Sequence, residues 1–215
     1  MKDGIPPTRR SAGRPTREQA EARLEELLDT ALDLFLEHGF ELATIEMIAT
    51  QMNMTKRTVY AKFPDKAALF LAAVQRAIER QIVPPEDLRK LDQGDLRETL
   101  RAIGHQRIGL VLTRNGLRLQ RIINTESFRF PNLLMLNYNQ SGRPVTEFIV
   151  ELLEREISRG TMRSADPMLA ASVFLSMVVS GPVRQIVAGI PPEAEEIERI
   201  VDFAVDVFLD GMRVR

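Results

Sequence analysis

The sequence predicts an all-α protein of about nine helices, and three observations lead to that fold class. Apolar residues recur at three- and four-residue steps through most of the 215-residue chain, and no run alternates strictly as a half-buried strand does. Proline, glycine and capping residues stand where such helices would begin and end. The composition, 44% hydrophobic and 27% charged, is rich enough in apolar side chains to form a core and too rich for a disordered chain.

The first helix is predicted from an apolar stripe formed by Leu24, Leu27, Leu28, Ala31 and Phe35. Gly39 should end this helix, because glycine readily takes the positive φ found just after a helix. Phe40 can then fold back onto the preceding turn, as in a Schellman cap. We therefore expect the helix to stop at this glycine.

Two short helices are predicted to follow, joined by a tight turn. Thr44 is placed to cap the first of them, and Thr55 is placed to cap the second. Asn53 stands in the turn between them, where a residue that tolerates positive φ is needed. Two such helices, the second held down by Val59 and Phe63, make a helix-turn-helix.

The other side of the second short helix carries the candidate DNA-contacting residues Lys56, Arg57, Thr58, Tyr60 and Lys62. Arginine and lysine on a helix that enters the major groove can donate to guanine acceptors. Threonine and tyrosine hydroxyls can donate to phosphates. A basic helix that is merely solvated is the alternative, but the cap, the turn, the apolar side and the charge all favour DNA.

The formal net charge of −1 gives no reason to expect a polyanionic partner, but charge is distributed unevenly along the chain. Residues 1–17 carry five basic side chains and one acidic one, and residues 53–66 carry four basic and one acidic. Residues 18–46, by contrast, carry nine acidic side chains and one basic one. Because exposed charges act mainly within about 10 Å at ordinary salt, these local patches matter more than the total.

Residues 27–74 resemble the DNA-binding domain of the TetR family of bacterial transcriptional regulators. The resemblance rests on A-x-x-L-F-x-x-x-G-[FY] at Ala31–Phe40, T-[IV]-x-x-I-A at Thr44–Ala49 and [ST]-x-x-T-[LV]-Y-x-x-F-x-x-K at Thr55–Lys66. The family commonly has Gly-Val where this chain has Asn53 followed by methionine, a change that keeps the conformation the turn needs.

The resemblance implies a set of DNA-contacting residues by position: Thr44, Thr55, Lys56, Arg57, Thr58, Tyr60, Lys62 and Lys66. Within this set, Thr44 and Lys66 match phosphate contacts at the ends of the neighbouring helices. Asp65 should cap the helix that follows. The chain should then divide into a flexible basic arm (1–17), a helix-turn-helix domain (18–66) and an effector-binding and dimerisation domain (67–215).

The remaining sequence predicts further helices near 66–82, 95–112, 115–128, 131–140, 143–158, 167–188 and 193–212. The last of them has a broad apolar face that includes Ile197, Ile200, Val201, Ala204, Val207 and Phe208. With Met168–Val183 it could form the four-helix dimer interface that the resemblance implies, or it could be intrachain core. A two-fold dimer would place its reading helices about 34 Å apart on a palindromic or pseudo-palindromic operator.

A small apolar or amphipathic effector is expected to bind among the middle helices. Flexible methionine side chains with a few polar groups suit such a ligand. The candidate pocket residues are His105, Asn124, Phe128, Met135, Asn137, Tyr138 and Ser176. Plain core packing is the alternative for most of them.

Several other classes find no support in the sequence. The chain has no cysteine and two histidines, and it shows no metal-ligand cluster, phosphate-binding glycine loop or nucleophile motif, so no cofactor, metal or catalytic residue is predicted. The uncharged run Met168–Val183 is shorter than a membrane span needs and contains polar residues and a proline. We expect a cytoplasmic protein. A helix-turn-helix protein that acts through protein partners, without specific DNA binding, remains the other reading.

The arm is a separate expectation. Arg9, Arg10, Arg14 and Arg17 could follow phosphates or enter a minor groove, or the arm could add only nonspecific attraction.

Overall fold

The computed structural model describes residues 16–214, and within them it confirms the all-α fold. The helices are α1 (Arg17–Leu42), α2 (Ile45–Gln51), α3 (Lys56–Tyr60), α4 (Lys66–Glu79), α5 (Pro85–Arg89), α6 (Leu96–Leu112), α7 (Arg114–Glu126), α8 (Asn132–Asn137), α9 (Arg143–Ser158), α10 (Pro167–Val187) and α11 (Ala194–Met212). A π-helical segment, Tyr138–Gly142, joins α8 to α9. The short helix α5 was not predicted, because its five residues are too few to show a period.

The chain divides into two compact units, which we call unit 1, up to Ala73, and unit 2, from Val74 onward. The division falls inside α4, whereas the sequence prediction places it after residue 66. No break in composition marks the division, because α4 continues through it.

Helix α1 begins with a capping box that the sequence analysis missed. The Thr16 hydroxyl accepts from the Gln19 backbone N–H, and the Gln19 side chain accepts from the Thr16 N–H. The letters T-x-x-Q carry this signal in the sequence. Arg17, which the prediction assigns to the arm, is the first residue of α1 and pairs with Glu21 at 2.7 Å. The arginines at 9, 10 and 14 lie outside the described residues.

The core of unit 1 forms where α1 packs against α2 and α4. The buried residues of α1 are Leu27, Ala31, Leu32 and Phe35. Phe35 and Phe40 stack with ring centroids 5.9 Å apart, and both contact the edge or face of Phe70 at 5.1 and 5.2 Å. This aromatic cluster fixes the end of α1 against α4.

Gly39 allows that cluster to form. Its φ of 74° is positive as predicted, but its ψ of 165° is extended, so the predicted Schellman geometry is wrong. The chain instead turns sharply and continues for one more helical turn to Leu42. Phe40 still folds back onto Phe35, which is the consequence that the sequence predicted.

Unit 2 is organised around α10, which packs against α6, α7, α9 and α11. Its buried residues include Phe174 and Val178. Helices α6, α10 and α11 meet closely at Gly104, where an added Cβ would lie 2.9 Å from Val178 Cγ1 and 3.0 Å from Val201 Cγ1. A glycine is therefore required for this packing distance.

Candidate functional site

Helix α3 is only five residues long and is held in place by contacts around it. The Thr44 hydroxyl accepts from the Met47 N–H at 3.2 Å, which caps α2, and the Thr55 hydroxyl accepts from the Thr58 N–H at 3.2 Å, which caps α3. Asn53 adopts a φ of 49° in the turn. Both caps and the turn are confirmed as predicted, so local sequence signals fix the start and direction of α3.

The two sides of α3 differ sharply in exposure. Val59 is fully buried, which anchors the helix to unit 1. The opposite side exposes Thr55, Lys56, Arg57, Thr58 and Tyr60, and Lys62 is exposed just beyond the helix. Thr44 is exposed as well. Seven of the eight predicted DNA-contacting residues therefore lie on the surface of the same small unit.

The cations of this surface differ in their partners. Lys56 Nζ lies 2.8 Å from a Glu46 carboxylate oxygen, and both side chains are more than half exposed. Such an exposed pair contributes about 1 kcal/mol or less, so a phosphate can take the place of Glu46. Within the described residues, Arg57 and Lys62 have neither a carboxylate nor a hydrogen-bond acceptor.

Lys66 is placed differently from the other seven. Its ammonium donates to the carbonyl oxygens of Phe40 at 2.8 Å and Glu41 at 3.0 Å, and it lies 4.6 Å from the centroid of the Phe40 ring. The side chain thus fixes the last turn of α1 to the start of α4. Asp65 caps α4 as predicted, because its carboxylate accepts from the Ala68 N–H at 2.7 Å.

The predicted effector residues do not converge on one enclosed pocket. Asn124, Phe128, Met135, Tyr138 and Ser176 are exposed, and only His105 and Asn137 are half-buried. Phe128 is 99% exposed. The Asn124 amide donates to the Gln120 carbonyl at 2.7 Å, and the Ser176 hydroxyl donates to the Ser172 carbonyl at 2.8 Å, so both polar groups are bonded within their own helices.

An apolar surface lies instead along α10 and α11, and we call it the α10/α11 face. It exposes Leu169, Val173 and Met177 from α10, and Phe203 and Val207 from α11. Phe203 is 72% exposed and Leu169 63%. A groove of about 310 Å³ runs between the two helices, and its lining includes Leu169, Val173, Met177 and Val207.

The structure divides the last helix between the two roles that the sequence left open. Ile197, Val201, Ala204 and Phe208 are buried in the core of unit 2, so most of the predicted apolar face is intrachain core. Val207 is exposed, as an interface residue would be. Phe203, on the adjacent side of the helix, was not singled out, because a periodicity does not say which part of a broad apolar face meets the core.

Helix α10 is long and apolar enough to span a membrane by length and composition. It is also a core element of unit 2, with Ala171, Phe174 and Val178 fully buried against its neighbours. A single such helix is weak evidence for a membrane, since core helices share its composition. Among residues 16–214, no group of three or more histidine or acidic side chains could hold a metal ion.

Comparisons with known proteins identify both units. Residues 27–73 match the model for bacterial regulatory proteins of the tetR family, and residues 98–211 match the model for the C-terminal domain of AefR-like transcriptional repressors. The chain is 30% identical over 194 residues to Rv1556, an HTH-type transcriptional regulator of Mycobacterium tuberculosis, with 88% of each chain covered.

Two further proteins are similar along most of their length. The HTH-type transcriptional repressor AcnR of Corynebacterium diphtheriae is 25% identical over 183 residues, which cover 84% of this chain and 88% of AcnR. The solved structure of the flavonoid-responsive regulator FrrA is 31% identical with a TM-score of 0.69, covering 91% of this chain and 99% of FrrA. The chain therefore belongs to the TetR family of bacterial transcriptional regulators and is a DNA-binding transcriptional repressor.

Proposed function

We propose that this repressor acts in the cytoplasm as a homodimer, reads a two-fold symmetric operator through α3 of each copy, and responds to a small molecule bound by unit 2. The observation that carries the proposal is the division of α3 into a buried side, anchored by Val59, and an exposed side of cations, hydroxyls and an aromatic ring. A helix braced in this way can enter the major groove without losing its own fold.

Roles follow from the partners that each side chain already has. Arg57 and Lys62 lack acceptors within residues 16–214, so we assign them to bases and phosphates, with Tyr60 beside them. Thr55 and Thr58 share a hydrogen bond of 2.9 Å. We therefore assign Thr55 chiefly to capping α3. The Thr58 hydroxyl can still make a further hydrogen bond, and we assign that bond to DNA.

Lys56 and Lys66 receive different roles. The Lys56 ammonium can leave the Glu46 carboxylate and bind a DNA phosphate instead. The negative charge of Glu46 then repels the phosphates of DNA that approaches in any other register. Lys66 already donates two hydrogen bonds to the end of α1. We infer that Lys66 positions α1 and α4, rather than binding the phosphate that the resemblance implies.

The homodimer is supported by the α10/α11 face. Large apolar side chains that are exposed together mark interaction surfaces, because water solvates such a patch poorly. A second copy of the chain presents the same patch, and a two-fold interface needs a self-complementary surface. The groove between α10 and α11 can receive side chains from the partner.

A ligand response is supported by the similarity to FrrA, which is a flavonoid-responsive regulator. An effector lowers operator affinity only by as much as it prefers the conformation that does not bind DNA, typically about 1–3 kcal/mol.

Selection of random duplex DNA on the purified full-length protein tests the proposal. We expect a palindromic winner that wild type binds tightly and that an Arg57→Ala, Tyr60→Ala double variant loses. Lys90→Ala, which removes an exposed cation of unit 2 that pairs with Asp87, serves as the control and should bind like wild type. Failure to enrich any sequence, with equally weak binding by all three proteins, would contradict operator reading and favour a role through protein partners.

A further inference from the structure

Arg107 is a cation in the middle of α6 that has no carboxylate partner in the part of the chain that the structure describes. Its Nη1 atom is buried and has no hydrogen-bond partner among residues 16–214. Its Nη2 atom donates only to the Ser141 hydroxyl, at 3.5 Å, the outer limit of a hydrogen bond. No carboxylate of the described residues pairs with it, and burial alone lowers the pKa of its guanidinium.

Arg155 of α9 contrasts with Arg107, because its charge is paired with a carboxylate. Both Nη1 and Nη2 of Arg155 donate hydrogen bonds to the Asp92 carboxylate at 3.0 Å. Arginine stays charged at all ordinary pH values, so it cannot lower the cost of burial by losing its proton. An unpaired buried charge is costly, and buried charges in folded proteins are normally paired.

Arg107 lies between weakly bonded polar groups and the apolar core of unit 2. Ser141 is buried in the π-helical segment, and its hydroxyl donates to the Gln81 carbonyl at 3.5 Å, another weak contact. π-Helical segments within helices are frequently found at functional sites. On α6, Ile103 lies one turn before Arg107 and Ile108 directly after it, and both are fully buried in the apolar core of unit 2.

We propose that Arg107 and Ser141 receive the carboxylate or phosphate group of an amphipathic effector. The inference rests on the proposed ligand response and narrows it to anionic effectors. The Arg107 side chain is half-buried, so a solute can reach it. If its guanidinium rotates, it can replace the long hydrogen bond to Ser141 with a bond to an anionic oxygen of the ligand. Arginine binds carboxylate and phosphate with two parallel hydrogen bonds, which gives strength and direction.

The site is connected to α4 on the unit 2 side. Ser141 contacts the carbonyl of Gln81, just after α4, and the neighbouring Gln140 side chain accepts from the Gln75 amide of α4 at 3.0 Å. An anion that draws Arg107 away from Ser141 therefore changes the packing of the π-helical segment against this helix. We assign to these contacts the step that carries effector binding to α4.

Thermal unfolding of the full-length protein, without DNA, tests the anion site. The probes are sodium octanoate, octyl phosphate and 1-octanol, which share a chain and differ in the head group. We expect octanoate or octyl phosphate to raise Tm and octanol to leave it unchanged, and the stronger of the two anions identifies the head group. Arg107→Gln should weaken the anion effect by about tenfold or more in apparent Kd, since a charge-assisted bond is lost.

Arg143→Gln is the matched control. Arg143 lies at the start of α9, beside the same π-helical segment, but it is exposed and pairs with Glu147 at 2.7 Å. This variant should keep the full response to the anions. Equal Tm shifts in wild type and Arg107→Gln, or no shift with either anion, would overturn the proposal and leave Arg107 with a buried water as its only partner.

A second measurement needs no ligand. Arg107→Met keeps the length of the side chain and removes its charge, so we expect the ligand-free variant to melt at the same temperature as wild type or higher. A clearly lower Tm would mean that the protein already compensates the charge, which overturns the proposal. Operator titration separates this result from the proposed function: an anion shift that depends on Arg107, with operator affinity unchanged, keeps the site and removes the ligand response.

Discussion

The α3 surface and the α10/α11 face expose opposite kinds of side chain, although each lies over a well-filled core. Around α3, the exposed residues are cations, hydroxyls and a tyrosine, whereas α10 and α11 expose leucine, valine, methionine and phenylalanine. A polar surface is stable in water by itself, but an apolar patch is stabilised when another surface covers it. The first surface is therefore suited to a charged, exchangeable partner and the second to a permanent one.

The largest effect should come from placing a charge on the α10/α11 face. Phe203→Glu is expected to dissociate the proposed dimer, because its carboxylate would be buried without a partner at a cost of roughly 3–5 kcal/mol, a factor of about 100 or more in Kd. Sedimentation of the variant should show a monomer. Phe128→Glu is the control, because Phe128 is also an exposed phenylalanine of unit 2 but lies in the α7–α8 connection, away from this face. Dissociation by both variants, or by neither, would contradict the assignment of the α10/α11 face as the dimer interface.

A smaller effect is expected beneath α3. Val59→Ala removes two buried methyl groups from the residue that anchors this short helix, and we expect a loss of about 2 kcal/mol in unfolding free energy of unit 1. Operator affinity should fall although no DNA-facing side chain has changed. Chemical denaturation and operator titration of the same preparation check this. Full operator affinity in Val59→Ala would show that α3 does not depend on its buried side.

Lys62 and Lys66 are both predicted from the sequence to contact DNA, but their substitutions should have different effects. Lys62→Met should lower the log-log salt slope of operator binding by about 0.9, the value for one lost phosphate contact. Lys66→Met should lower Tm and leave that slope unchanged, because the Lys66 ammonium bonds to the carbonyls of Phe40 and Glu41. A slope that falls by the same amount in both variants would return Lys66 to the phosphate contacts.

The smallest effect concerns a paired charge in unit 2. Hydrogen bonds from Arg155, and then from the Gly94 N–H, lower the pKa of Asp92. Because its pKa is lower in the folded than in the unfolded chain, Asp92 stabilises the fold above its ordinary pKa of about 3.9, and this stability is lost as pH falls through the folded pKa. Asp92→Asn should therefore lower Tm at pH 7 by an amount worth about 1 kcal/mol or less.

Calorimetry across the acid range checks that sign. The difference in Tm between wild type and Asp92→Asn should begin to shrink as pH falls below about 4, where Asp92 of the unfolded chain takes up its proton, and it should be lost below the lower pKa of the folded carboxylate. A difference that stays constant from neutral to acid pH would mean that the pair with Arg155 contributes nothing through charge.

Local signals explain why the sequence predicted unit 1 so closely. Caps and turns depend on residues within four positions of one another, so Thr44, Asn53, Thr55 and Asp65 could each be assigned from their neighbours alone. The partners of Lys66 lie 25 and 26 residues away, and no local pattern indicates them. The role of that lysine was visible only in the folded unit.

The candidate sites of unit 2 were harder to predict, for a different physical reason. Helical periodicity shows that one side of a helix is apolar, but the direction of its neighbours decides which of those side chains become core. Phe128 and Met135 are of residue types that often line pockets, yet both are exposed. Arg107 is of a type usually found on the surface, yet it is partly buried. Only the packed structure separates these cases.

The two tyrosines give each proposed site its own optical probe. The chain has no tryptophan and only two tyrosines, so its ultraviolet emission comes from Tyr60 on α3 and Tyr138 in the π-helical segment next to Ser141. Both rings are substantially exposed, at 51% and 40%. A Tyr138→Phe protein would report DNA contact without any attached dye, and a Tyr60→Phe protein would report events near Arg107, with no brighter indole to mask either signal.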